Sequence, residues 1–247
     1  MKKSVIYLFA IFIVAVAAAE FLLIKIIDMK MDVSAEPVEL SFPKKNSNAV
    51  EEVKKVVLSV PYISEAPRGI WSEPWVNGCE EASIAMVEKY YLGRESVSIE
   101  EAESFMQILF DAQDLLYGSN RNADSVRVAR LISDYASFNG VIKDNPTLEE
   151  IKNELWQNHP VIAFHYGFAL QNKNILFLAT GSSYHNTVII GYDDATREFI
   201  VNDSGDEIDG QNHRYSYDLF MNSLRDYDFS DNKADGPARV IFTSPKN

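Results

Sequence analysis

The chain holds a single cysteine, Cys79, within W-S-E-P-W-V-N-G-C-E-E-A-S-I-A-M-V-E-K-Y-Y, Trp71 to Tyr91. Asn77-Gly78 reads as a turn just before it. Beyond it, apolar residues fall at Ala82, Ala85, Met86 and Tyr90 and again at Ile84, Val87 and Tyr91, the pattern of a helix buried on most of its surface. The spacing predicts a thiol in the first turn of a buried helix. Unpaired backbone N–H groups and the positive end of the helix dipole favour a thiolate there, and the thiolate is the nucleophile. A lone cysteine is more often a small buried hydrophobe, so a nucleophile needs partners elsewhere in the chain.

Two distant residues fit that need. His185 stands at the start of a β-rich run, Thr187–Tyr192, and Asp203 at the end of the next, Phe199–Asp203, with Asp193, Asp194 and Thr196 supplying the turn between them. In such a hairpin the two ends lie side by side. Asp203 can then hold the imidazole in one tautomer, and the imidazole can take the Cys79 proton and return it to a leaving amine. Asn202 is a rival orienter, but strand alternation sends it to the opposite face. The other histidines have duller readings: His159 at a helix end, His165 as a satisfied core residue, His213 in a polar loop. The acidic run Asp203–Asp209 lacks EF-hand spacing and reads as a solvated loop. Trp71 and Trp75 suit a groove wall or, more commonly, core packing.

These residues need a frame. Val56–Val60 reads as a short strand ending at Pro61. After the Cys79 helix, which Gly93 ends, Ser98 with Glu101 announces a helix over Ile99–Leu116. Asp124 or Ser125 starts another, running to Tyr135, and Thr147 with Glu150 starts one over Leu148–Trp156. Strands are predicted at Val161–Tyr166, Leu176–Ala179, the 184–203 hairpin and Ala238–Thr243, with a short helix capped by Ser216 over Tyr217–Leu224. Helices first and strands later make an α+β domain over residues 56–247. Its helical first half packs on an antiparallel sheet.

Residues 1–27 hold Lys2 and Lys3, the uncharged run Val5–Ala19 and further apolar residues to Ile27. They read as a signal peptide or a transmembrane anchor, with the longer run favouring the anchor. Either reading puts the domain outside the cytoplasm, tethered at the cell membrane by a single pass or secreted after cleavage. Residues 28–55 read as a linker, with Pro37, Pro43 and mixed charge. With 36 acidic against 23 basic residues and a formal charge of -13, nucleic acid is not an expected partner. One cysteine excludes an internal disulfide. Without C-x-x-C or paired histidines, no metal and no cofactor are expected.

Taken together, V-P-Y-I-S-E-A-P-R-G-I-W, G-C-E-E-A-S-I-A-M-V, H-N-T-V-I-I-G-Y-D-D and F-I-V-N-D-S-G resemble the bacteriocin-processing peptidase-like family of papain-like cysteine peptidases, over about Val57 to Thr243. The resemblance implies a papain-like α+β fold with Cys79 as nucleophile, His185 as general base and acid, and Asp203 as orienter. It implies an exported hydrolase that cleaves an amide in a peptide or protein through a thioester. Acyl transfer or amidase chemistry on the same triad, or a tethered peptide-binding module without activity, are the alternatives.

The chain departs from the family twice. Members commonly carry Gln upstream of the cysteine as an oxyanion-hole donor, where this chain has Glu65, and an ionised carboxylate cannot donate. Asn77 is the substitute candidate, beside the Cys79 N–H. Many members have Gly-Pro after the cysteine, where Glu80-Glu81 stand here. Their charges oppose a thiolate, but an imidazolium in contact is expected to outweigh them and leave Cys79 with a depressed pKa.

Overall fold

The computed structural model describes residues 55–119, 121–175 and 183–246. Most of its helices start where short polar side chains satisfy the first backbone N–H groups. The helix α1 (Cys79–Tyr91) has only Gly78 at its cap and no side-chain cap bond. Ser98 accepts from the Glu101 N–H at the start of α2 (Ile99–Tyr117), and Asp124 accepts from Arg127 N–H at the start of α3 (Ser125–Tyr135). Thr147 and Glu150 form a complete capping box before α4 (Leu148–Trp156). Ser216 caps α5 (Tyr217–Ser223). Since α1 lacks a cap, its stability comes from packing. Ala82, Ile84, Ala85, Met86 and Val87 are fully buried.

One antiparallel sheet runs behind these helices. Its strands are β1 (Lys55–Val57), β2 (Phe138–Asp144), β3 (Val161–Tyr166), β4 (Tyr184–Asp193), β5 (Glu198–Asn202), β6 (His213–Ser216) and β7 (Arg239–Pro245). The order is β2-β7-β3-β4-β5-β6, and β1 adds to β4. Every residue of β4 is buried, and α1 packs across it. The helix that starts with Cys79 therefore lies on the strand that carries His185. The predicted hairpin is present: Val188 pairs with Asn202 and Tyr192 with Phe199, with a bulge between Ile189 and Gly191. At that bulge β1 docks, Val57 opposite Gly191. A Cβ on Gly191 would come within 2.3 Å of the Val56 carbonyl oxygen, so the approach requires glycine.

The α+β expectation is met, with three corrections. The middle of the domain is not purely helical, because β2 lies between α3 and α4. Its sequence, F-N-G-V-I-K-D, interrupts its β-formers with Asn139 and Gly140, and it is held as an edge strand by seven-residue pairing with β7. His213 opens β6 rather than lying in a loop. The run after Asp203 is not simply solvated: Asp203, Ser204, Gly205 and Asp206 are buried. The Asp206 carboxylate accepts from Ile208 N–H and Asp209 N–H, both at 2.9 Å, and from the Asn172 amide at 3.0 Å, so the segment is folded onto its own carboxylate.

The expected strand at Leu176–Ala179, the N-terminal segment 1–27 and nearly all of the linker lie outside the described residues. Among the described residues no helix is long and apolar enough to cross a membrane.

Candidate active site

The stretch before α1, the first turn of α1, the stretch before α3 and the start of β4 meet at one small cleft. Glu65, Val76, Asn77, Cys79, Arg121, Asn122, Tyr184 and His185 line it. Glu65 reaches it from the loop before α1, held by its backbone N–H on the Ser204 carbonyl at 3.1 Å. A Glu65 carboxylate oxygen, the Cys79 sulfur and a His185 ring nitrogen all lie within 4.8 Å of one another, and all three residues are buried. His185 Nε2 and Asp203 Oδ1 are 2.7 Å apart and fully shielded from water. The three residues singled out as Cys–His–Asp are thus brought together, with His185 between Cys79 and Asp203.

Asp203 is held on both oxygens. The Tyr215 hydroxyl donates to Oδ2 at 2.6 Å, and Gly205 N–H approaches Oδ1 at 3.3 Å. Burial works against its charge, but His185 and the Tyr215 hydroxyl keep its pKa below the usual carboxylate value. Tyr215, on β6, carries a role that sequence reasoning missed, and only the alternation of H-R-Y-S hints that it points inward. Gly205 is also part of the site. A Cβ there would stand 3.0 Å from His185 Cε1, so the backbone can close over the imidazole only without a side chain. Asn202 faces away as expected, its amide donating to the Val60 carbonyl at 3.1 Å. His165 is the satisfied core histidine expected, with Ser223 Oγ at 2.8 Å and Thr187 Oγ1 at 3.0 Å. Burial and the neighbouring His185 push its pKa down to about 3.

The expected depression of the Cys79 pKa is overturned. Cys79 is 7% exposed, and its S–H donates to Glu80 Oε2 at 3.0 Å. Burial first, then the charges of Glu80 and Glu65, that hydrogen bond and Glu81, push the thiol well above its ordinary value. Helix placement is real, but desolvation and three carboxyls outweigh it. Sequence spacing placed Glu80 next in the chain; it could not show the side chain turning back onto the sulfur. Glu80 also accepts from Ala123 N–H at 2.8 Å. Its own pKa is pushed up to about 7, chiefly by burial. Glu81 is buried against the Gln113 amide and is likewise raised well above the usual range by burial and by Glu80.

The remaining expectations divide. Asn77 does line the cleft, but its amide donates to Glu73 Oε2 at 3.0 Å. Trp75 packs edge-on against Phe110, with 5.4 Å between centroids, and so serves the core. Trp71 donates its indole N–H to Glu207. Glu65, Cys79 and His185 also bring one atom each that could face a metal ion within that 4.8 Å.

The model of the peptidase C39-like family matches residues 57–232. No curated protein matches the chain. Among solved structures, a candidate C39-like peptidase from Bacillus anthracis is similar at 16% identity and a TM-score of 0.50, covering 78% of this chain and 99% of its own. At that identity the likeness speaks for the fold alone. The family match spans most of the domain, and the chain belongs to the peptidase C39-like family.

Proposed function

We propose that the protein is a cysteine peptidase-like hydrolase that cleaves an amide bond through a thioester on Cys79. The observation that carries the reading is the 2.7 Å contact between His185 Nε2 and Asp203, in a cleft where a His185 ring nitrogen and the Cys79 sulfur lie within 4.8 Å. With Nε2–H donated to Asp203, Nδ1 is the basic atom of the neutral imidazole. The raised thiol pKa sets the order of events. Cys79 rests as a thiol on Glu80, and its proton passes to His185 as sulfur attacks the carbonyl carbon. The imidazolium, steadied by Asp203, then protonates the departing amine. Water opens the thioester with His185 again as base. Family membership supports this class of chemistry.

The substrate we propose is a peptide or protein. We also propose that the Val5–Ile27 run exports the domain and holds it at the membrane, or is cleaved to release it. A second reading, a peptide-binding module without turnover, draws on one observation: a buried thiol with a raised pKa is a poor nucleophile. The experiment that separates them is incubation of the full chain with a mixed peptide library, read by mass spectrometry beside Cys79→Ala and His185→Ala. Cleavage lost in both variants supports the hydrolase. Binding without cleavage by the wild type supports the module.

A further inference from the structure

Glu65 sits where a charge is hard to keep. It is 1% exposed, and among the described residues its Oε1 has no hydrogen-bond partner. Its carboxyl lies within 4.8 Å of both the Cys79 sulfur and a His185 ring nitrogen and lines the same cleft. A carbonyl carbon bonded to that sulfur would lie in the cleft that the Glu65 carboxyl lines. What the unpartnered oxygen of a buried carboxyl can offer a developing oxyanion is a proton. As an anion it would repel the oxyanion; as an acid it is an O–H donor.

We propose, building on the Cys79 acyl-transfer reading, that Glu65 acts in its protonated form as a hydrogen-bond donor to the oxyanion, so that acyl transfer stops when Glu65 ionises. The surroundings favour the acid form. Burial comes first, then the negative charges of Asp203 beyond β5 and Glu80 on α1, with only the Ser204 side chain working the other way. The other titratable groups facing the carboxyl are Cys79 and Glu81 on α1, His185 on β4 and Tyr62 from the preceding loop. Arg121, the cation of the cleft lining, pairs with Glu73 at 3.1 Å. The second donor is the Cys79 N–H, which belongs to the first turn of α1, where backbone donors lack partners within the helix.

Two reagents separate this from a general effect on the thiol. Acylation by 4-nitrophenyl acetate forms an S–C bond, passes through an oxyanion and expels 4-nitrophenolate. Alkylation by iodoacetamide forms an S–C bond and expels iodide, with no oxyanion. Both need the same deprotonated sulfur, so the ratio of their rates at Cys79 cancels thiol ionisation. In the full chain in mild detergent, Glu65→Ala is expected to lower the ratio about 10²–10³-fold. Glu65→Gln, a permanent donor, should hold it within about tenfold of wild type. With rising pH the wild-type ratio should fall, and the Glu65→Gln ratio should stay flat. A ratio unchanged in Glu65→Ala, lost equally in Glu65→Gln, or flat with pH in the wild type overturns the proposal. If the wild type reacts with neither reagent, the Cys79 nucleophile itself fails, and the proposal falls with it.

Discussion

Tyr215 and Asp203 share a buried hydrogen bond of 2.6 Å, on the carboxylate oxygen opposite the one that meets His185. The phenol fills a role that a water would fill in an open site. It satisfies the second oxygen without admitting solvent, and it takes part of its own bonding from the Asn172 amide at 3.0 Å. Tyr215→Phe leaves a buried carboxylate oxygen short of a donor, so unfolding free energy should fall by about 1–3 kcal/mol. Urea denaturation of the two proteins checks it. Acylation of Cys79 should slow as well, because a carboxylate with one donor fewer holds the imidazole less firmly. An unchanged denaturation midpoint would mean that water replaces the hydroxyl.

The Glu80 side chain is predicted to be a brake on the thiol. In Glu80→Gln the amide oxygen can keep the Ala123 N–H, while the amide nitrogen turns a donor toward sulfur. One charge beside the thiolate is removed and one hydrogen bond to it is added. Iodoacetamide should label Cys79 faster at pH 7, by about tenfold or more, the rise expected for a pKa fall of about one unit. A rate that stays the same or falls would show that Glu80 does not control the thiol.

Stability should decline toward alkaline pH. Glu80 titrates in the folded state at about 7, and Glu65 and Glu81 are also raised. A carboxyl with a raised folded pKa binds its proton more tightly in the native state than in the unfolded chain. Its contribution is full below the unfolded value, near 4.5, and is lost as pH climbs through the folded one. The urea midpoint should therefore be higher at pH 5 than at pH 8, and Glu80→Gln should narrow the gap. Asp203 has the opposite sign, so its share is lost only as pH falls below the ordinary carboxylate range.

Gly205→Ala is expected to separate activity from stability. Its Cβ would press on His185 Cε1 from 3.0 Å, and a shift of the imidazole would misplace both ends of the proposed proton path. Acylation should drop by about ten- to a hundredfold, with a change in unfolding free energy of about 1–2 kcal/mol at most. Kinetics and denaturation on one preparation decide it; a collapse of stability would make the glycine a folding requirement instead.

The features legible in the sequence are those written in short spans. Asp124, Thr147 and Ser216 announce their helices because a cap is a contact across three residues. Cys79 is placed by the turn before it, and the pairing of His185 with Asp203 follows from hairpin geometry. Distant packing stays hidden. Nothing near Tyr215 in the chain says that it will meet Asp203, and nothing near Cys79 says that its helix start will be dry enough to reverse the sign of its pKa shift. The strand β2 escapes for a related reason: Asn139 and Gly140 belong in a strand only because β7 arrives beside them about a hundred residues later.

His165 pairs across the sheet with His185 and, with a pKa of about 3, stays uncharged through the whole working range. It is thus a silent neighbour with a magnetic voice. Its imidazole resonances should show no titration of their own between pH 5 and 8. Any displacement of them in that range would report a change of charge in its surroundings. A proton-poor histidine one strand away from His185 gives the protein a built-in indicator by which nuclear magnetic resonance can follow charge at the candidate site without touching it.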